Sequence, residues 1–470
     1  MKQKIITLTF ILFSSLTFGQ YKTPKISGTV KISVGNGTLE CDITLSDYSH
    51  ISNYLIRLNK GLNILNIQSI EPNKFLLDYE REISDSLQTE ETISYFFPSS
   101  EKGQKLLPSK MRFRYVGKFP VINDTISEDY QRIDWRGNIA FKNGLLRMDG
   151  LQSAWFPTIY DVQNNFQFDM VKYDLKIICE DCEQIYFNGS VPVNGKNAHF
   201  ISESPKEPYL FVGNYKIQDA KNITLLNADF SKQQVSEFNE INSKIIDFLS
   251  GYTNVPYKEK VYWIQAYNSS IEKGNFAFAS NSTFTICGSN PPNHDLISYV
   301  NGAKIKLQSM VPHEISHYYF GSSKICNNDL EVILNEGFAQ FLAFKYLSQF
   351  EGDDYIKDGV LESLDWFEEP DFKFKAMLEF NNSENTNDRQ TYAYDYQTSI
   401  LFSIEKEIGI EKMQNWIRML LQGENPISDK IFFKNTLEIA TDNEKKFNEI
   451  LDKYLTGKMT VENMRALWEN

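Results

Sequence analysis

The chain has 470 residues, of which 41% are apolar and 23% charged. That is too long for one ordinary core and apolar enough for two or three domains, which excludes a disordered chain or a small disulfide-stapled module. Its 48 basic against 61 acidic residues leave a formal charge of −13, which argues against nucleic acid or an anionic membrane surface as partner.

In chain order, Lys2 and Lys4 precede an apolar run from Ile5 to Phe18, with Thr17 and Gly19 as small residues at a cut position. The run is about 14 residues where a span needs about 20, so it predicts a signal peptide over 1–19, cleaved near Gly19, rather than an anchor. No later stretch approaches a span. Stable membrane insertion is therefore not expected, and the mature protein is expected outside the cytoplasm, in a periplasm or secreted.

From Lys25 to about Phe230 short alternating runs are separated by turn residues, beginning with Gly28–Val34, Gly35-Asn36-Gly37 and Thr38–Leu45. Met111–Tyr115, Ile139–Phe141, Tyr209–Gly213 and Ile223–Leu226 continue the pattern, so residues 20–230 are expected to form an N-terminal antiparallel β domain. Cys179 and Cys182 lie between two strand-like runs, Tyr173–Ile178 and Gln184–Phe187. In an exported chain that spacing suits a small loop-closing disulfide better than a redox or metal site, which would need a helix start or a second pair. After about Ser231 the period becomes helical over Gln234–Leu249. Two strand-like runs follow, Lys260–Tyr267 and Phe276–Ile286, and helical periods dominate from Ile305 onward. The fold class read from this is α+β and multidomain, with 231–470 a mostly α-helical second domain.

The chemistry concentrates in Val311-Pro312-His313-Glu314-Ile315-Ser316-His317, an HExxH pattern. On a helix, positions i and i+4 share a face, so both imidazoles can reach one cation while Glu314 flanks them. A hydrolytic zinc site needs a third protein ligand and one open position. Asn335-Glu336-Gly337-Phe338-Ala339 offers Glu336, 19 positions beyond His317, near the start of a helical pattern. Its flanks Val332, Ile333, Leu334, Phe338 and Phe341 are apolar, and a carboxylate among them needs a partner. Glu331, five positions before Glu336, either orients a ligand histidine or is a solvated first-turn acid.

These residues, with Tyr319-Phe320-Gly321 after the second histidine, resemble the gluzincin aminopeptidases of the aminopeptidase N type. The resemblance is dense between 311 and 346 and extends weakly over about 100–457, including Trp155-Phe156-Pro157 and Asn188-Gly189-Ser190. It implies a thermolysin-like catalytic domain holding one Zn2+ per chain on His313, His317 and Glu336, with Glu314 as general base. It further implies a tyrosine that donates to the oxyanion of the tetrahedral intermediate. Tyr394-Asp395-Tyr396-Gln397 looks like the start of that family helix, and Tyr394 is the choice, with Tyr392 and Tyr396 as alternatives. The large C-terminal helical domain of many members is expected to be absent.

One departure bears on substrate. Family aminopeptidases carry a Gly-x-Met-Glu-Asn segment on a strand before the zinc helix, whose Glu grips the substrate's free amine. The corresponding strand here is Gly274–Thr283, with Ser280 or a neighbour such as Asn281 at the substrate-binding position, and no acidic residue lies between Glu272 and His294. Loss of a charge-assisted contact worth about 1.5–3 kcal/mol would erode selection for free N-termini. The expected function is an exported zinc metallopeptidase acting on peptides without strict aminopeptidase specificity. The alternative is a non-catalytic zinc-containing peptide-binding protein of the cell envelope, against which an intact Glu314 argues.

Overall fold

In the computed structural model of the chain, the residues described are 22–71, 78–84, 87, 89, 91–101, 103–123, 139–150, 153–268, 276–288, 296, 309–324, 326, 328–352, 354–368, 375–380, 390–423 and 428–469. The leader expected over 1–19 lies outside them, as do Gly274 and Asn275.

The alternating N-terminal runs form strands because every second residue can be buried. In Lys25–Ser33 and Thr38–Ser46 the apolar positions Ile26, Val30, Ile32, Leu39, Cys41, Ile43 and Leu45 all turn inward. These two strands pair antiparallel across the Gly35-Asn36-Gly37 turn. They sit inside a six-stranded sheet ordered Asn197–Lys206, Val171–Cys179, Lys25–Ser33, Thr38–Ser46, Lys110–Lys118, Leu62–Ser69. Among the described residues of this half two pairings depart from the antiparallel expectation: Lys25–Ser33 runs parallel to Val171–Cys179, and Val121–Ile122 runs parallel to Ala140–Lys142 in the second sheet. A second six-stranded sheet includes Leu145–Met148, Leu210–Gly213 and Gln184–Phe187, and a five-stranded sheet includes Tyr54–Asn59 and Thr158–Asp161. Their inner faces share one core containing Trp155, Phe187 and Tyr115. Cys179 and Cys182 are joined in a disulfide, and the Asp181 carboxylate between them accepts from Ser33 Oγ at 2.8 Å and Gly35 N at 2.9 Å.

The helical half opens on Lys232–Thr253, started by a capping box in which Ser231 Oγ accepts from Gln234 N and Gln234 Oε1 accepts from Ser231 N. The fourth sheet runs Ile217–Asp219, Ile223–Leu226, Val261–Tyr267, Thr283–Gly288, Phe276–Ser280. The single run expected over Phe276–Ile286 is thus a hairpin. Asn281 takes the left-handed conformation (φ 55°) that lets the chain reverse between Ser280 and Thr283. Its first strand, Phe276–Ser280, is the sheet's edge. Helices then dominate: Met310–Ser316, Phe338–Glu351, Tyr355–Phe367, Gln397–Ile408, Ile410–Gln422, Lys430–Thr441, Glu444–Ile450 and Thr460–Trp468. They share a core with this sheet that includes Trp263, Phe338, Phe341, Trp416 and Tyr454. A smaller aromatic cluster, with Tyr186, Tyr209 and Phe211 from one half and Tyr262 and Phe278 from the other, seals the two halves together. No helix among the described residues is long and apolar enough to cross a membrane.

Candidate active site

The helix Met310–Ser316 is short and almost wholly buried, with Val311 and Ile315 in the core. Pro312 sits in its first turn, where the missing N–H costs nothing. His317 closes the helix, its N–H reaching Glu314 O at 3.1 Å. The i, i+4 spacing stacks the His313 and His317 rings edge to face, 4.7 Å apart, with the two Nε2 atoms at 3.1 Å.

Glu336 arrives from a π-helical turn, Val332–Gly337, that leads directly into Phe338–Glu351. The buried Val332, Ile333 and Leu334 fix that turn in the core, and the extra residue of a π turn rotates Glu336 toward the histidines. Glu336 Oε2 lies 3.4 Å from each Nε2, and among the described residues no donor besides these two rings comes near this buried oxygen. Four ligands at about 2.0–2.1 Å in a tetrahedron stand about 3.3–3.4 Å apart. The three donor atoms, 3.1 to 3.4 Å apart, therefore have the separations of one face of such a tetrahedron. In chemistry and in spacing this donor set fits zinc.

The electrostatics agree with a site built for a cation. Burial alone would lower the His317 pKa, but the Glu336 carboxylate beside it raises it above its ordinary 6.5. Burial would raise Glu336, but His317 and His313 hold it well below its ordinary 4.5. Glu336 and His317 thus each favour the charged form of the other.

Neighbouring residues orient these ligands. His317 Nδ1 lies 3.1 Å from Phe320 O, which holds the ring with Nε2 toward His313 and Glu336. Phe320 is itself stacked on Phe338, two positions after Glu336, at 4.5 Å and 17°. Asn335 Nδ2 donates to Cys326 O at 2.9 Å and ties down the loop between the two ligand helices. Glu331 stands at the start of the π turn, its N–H bonded to Asn328 O. Sequence reasoning singled out neither the Phe320 carbonyl nor its stacking. A backbone acceptor has no residue-type signal, although Tyr319-Phe320-Gly321 marked the segment.

Tyr394 lies on a second π-helical turn, Thr391–Tyr396, which continues into Gln397–Ile408. Its half-buried ring is 5.5 Å from the His313 ring. The two alternatives point elsewhere. Tyr392 is buried, stacked on Phe380 at 4.1 Å, and its hydroxyl donates to Lys375 O at 3.2 Å. Tyr396 is buried against Phe367 and Tyr392. The two π turns meet at Gly337, where a Cβ would lie 3.1 Å from Gln397 Oε1 and 3.2 Å from Gln397 Cβ. The segments carrying Glu336 and Tyr394 are therefore packed directly on each other.

Ser280 and Asn281 lie at the turn of the edge hairpin. Both are buried, and both hydrogen bond to Asn188 of the N-terminal half. His313, Glu314, His317, Glu336 and Tyr394 are gathered at one place.

Residues 238–456 match the peptidase family M1 domain. No curated protein matches the chain significantly. Among solved structures, the M1 zinc metallopeptidase of Deinococcus radiodurans is similar at 13% identity and a TM-score of 0.61, over 94% of this chain and 95% of that one. A mutant of that enzyme bound to a Tyr-Ser-Ala substrate gives 11% identity, a TM-score of 0.60 and coverage of 94% and 95%. Native yeast LTA4 hydrolase is similar at 13% identity and a TM-score of 0.61, over 94% of this chain and 69% of that one. Residues 238–456 therefore carry a peptidase family M1 domain, and the two-domain fold of the chain is that of the M1 zinc metallopeptidase and LTA4 hydrolase structures.

Proposed function

We propose that the protein is an exported zinc peptidase that cleaves peptide bonds without strict dependence on a free N-terminus. The observation that carries the hydrolytic part is the zinc-like spacing of the donor atoms of His313, His317 and Glu336. Those three residues would hold one zinc ion. Zinc, when bound there, supplies a Lewis acid that polarises the scissile carbonyl and brings a water's pKa to about 7. Glu314, on the same helix turn and buried beside the ligands, takes the proton of the attacking water and delivers it to the leaving nitrogen. Tyr394 donates a hydrogen bond to the carbonyl oxygen as negative charge develops on it. The edge strand Phe276–Ser280, which corresponds to the Gly-x-Met-Glu-Asn strand of the resembled family, would wall the cleft, and its Ala277 and Ala279 pack against the core that holds the zinc helix.

The loss of selectivity rests on Phe276-Ala277-Phe278-Ala279-Ser280, a wall strand without a carboxylate. A substrate ammonium finds no charge on it. Peptide as the substrate class is supported by the family and by the Tyr-Ser-Ala ligand of the Deinococcus relative. Export rests on the leader-like composition of residues 1–19, and the division into a β domain (20–230) and a catalytic domain (231–470) on the change of period near Ser231.

Mass-spectrometric readout of a peptide library, half of it N-acetylated, tests this reading. Comparable cleavage of both halves is expected. Cleavage of free peptides alone would overturn the relaxed specificity, and cleavage of neither would leave a binding protein.

A further inference from the structure

The turn of the edge hairpin is tied to the N-terminal half through one side chain. Asn188 follows the strand Gln184–Phe187 and is fully buried. Its Nδ2 donates to Glu207 O at 2.8 Å, Ser280 Oγ at 2.8 Å and Asn281 Oδ1 at 3.1 Å. Its Oδ1 accepts from Thr283 Oγ1 at 2.7 Å. Around it, Asn281 Oδ1 also accepts from Glu207 N at 2.9 Å, and the Tyr186 hydroxyl meets Thr283 Oγ1. Ser282 Oγ donates to Glu259, which in turn pairs with Lys206 at 2.9 Å. Every residue from 280 to 283 is thereby anchored, and three of the four are anchored to the Asn188 amide.

The consequence lies in the strand that enters this turn. Phe276 and Phe278 face the N-terminal half, beneath the Arg147 guanidinium and, for Phe278, against Tyr209 at 5.8 Å. Ala277 and Ala279 face the core of the zinc helix. Successive side chains of a strand point to opposite faces, so a slip of one residue would drive phenylalanines toward the zinc helix where alanines now fit. An edge strand has only one neighbour to hold its register, and the Asn188 amide adds a second constraint at the end where the turn begins.

We infer that Asn188 is a positioning residue for substrate: it sets the height and register of the edge strand against the zinc helix and so the distance from a bound peptide to the zinc. The inference rests on the proposal that this strand walls the cleft. It also gives Ser280 and Asn281 a different task from direct substrate contact, namely to receive the Asn188 amide. A misplacement of about 1 Å at a reacting centre is enough to cost about a hundredfold, so control of this strand is control of catalysis.

The test compares Asn188→Asp and Asn188→Ala, with Ser280→Ala and Thr283→Val as variants that remove one bond each. Asn188→Asp keeps the volume and the acceptor for Thr283 but loses both donors and sets acid oxygens against Glu207 O and Asn281 Oδ1, so it should displace the turn at least as far as Asn188→Ala does. Peptide affinity is read in the Glu314→Gln background, and KM, kcat and zinc content in the otherwise unaltered enzyme, far below the melting temperature. Weakening of peptide affinity and a rise in KM by about tenfold in both Asn188 variants, at full zinc content, is expected. Smaller effects of the same kind are expected from Ser280→Ala and Thr283→Val, which report even if the Asn188 variants fail to fold. Variants that match the parent in affinity and KM while the parent cleaves peptides would overturn this inference alone. A zinc-loaded parent that neither binds nor cleaves peptides would overturn the proposed function and this inference with it.

Discussion

Replacing Tyr394 with phenylalanine removes one hydroxyl and leaves the ring 5.5 Å from His313. The zinc ligands are untouched, so metal content should be unchanged. If that hydroxyl donates to the developing oxyanion, its loss should lower kcat by about 10²–10³-fold, or about 2.7–4 kcal/mol of transition-state stabilisation, with KM little changed. The same substitution at Tyr392 and Tyr396 is the internal control. The Tyr392 hydroxyl already donates to Lys375 O, and burial pushes the Tyr396 phenol up to about 12. Each of those variants should lose about 0.5–1.5 kcal/mol of folding stability, the net worth of a neutral hydrogen bond, and keep kcat. Steady-state kinetics on one peptide, with urea unfolding of all three proteins, separates the cases. A Tyr394→Phe enzyme that keeps kcat, beside a Tyr392→Phe or Tyr396→Phe enzyme that loses it, would refute the assignment.

Glu336→Ala should abolish stoichiometric zinc binding, measured by metal analysis after gel filtration, since two imidazoles alone leave the donor set incomplete. Glu336 raises the His317 pKa, so zinc binding should release protons and weaken as pH falls through that raised value; calorimetry in buffers of different ionisation enthalpy reads this. Gly337→Ala should cost about 1–3 kcal/mol of stability by overpacking against Gln397 and lower kcat by separating the two π turns, detected by thermal melting and kinetics. Burial raises the Glu407 carboxyl, but hydrogen bonds from Lys446, Lys453 and Tyr454 outweigh it and hold the pKa down at about 2. Because the folded value lies below the ordinary 4.5, its stabilisation is full above about 4.5 and is lost as pH falls toward about 2. Glu407→Gln should flatten that acid limb in a pH series of melting curves.

The meeting of His313 and His317 could be read from the sequence because its constraint is local: positions i and i+4 share a face on any helix, whatever it packs against. Glu336 needed only the approximate spacing of a second helix. Tyr394 was less determined, because three tyrosines alternate between 392 and 396 and only a π turn decides which of them faces His313. Helical periodicity carries no mark of such a turn. The strands of the N-terminal half were visible as alternation, and Ile223–Leu226 and Gln184–Phe187 have the expected bounds. Which strands pair was not visible, and the parallel pairing of Lys25–Ser33 with Val171–Cys179 spans about 150 residues that no local pattern encodes. The hairpin at Asn281 was merged into one run because both arms are apolar and the reversal takes only two polar residues. Asn188 drew notice only within the Asn188-Gly189-Ser190 resemblance, which says nothing of its burial. Its burial follows from the packing of one half on the other, which alternation within one half does not report.

The most direct measurement of the central claim is zinc content and peptide turnover of the purified mature protein beside its Glu314→Gln variant. One zinc per chain in both, with turnover in the parent and a loss of at least about a thousandfold in the variant, is the expected result. Substantial turnover by the zinc-loaded Glu314→Gln protein would contradict the mechanism.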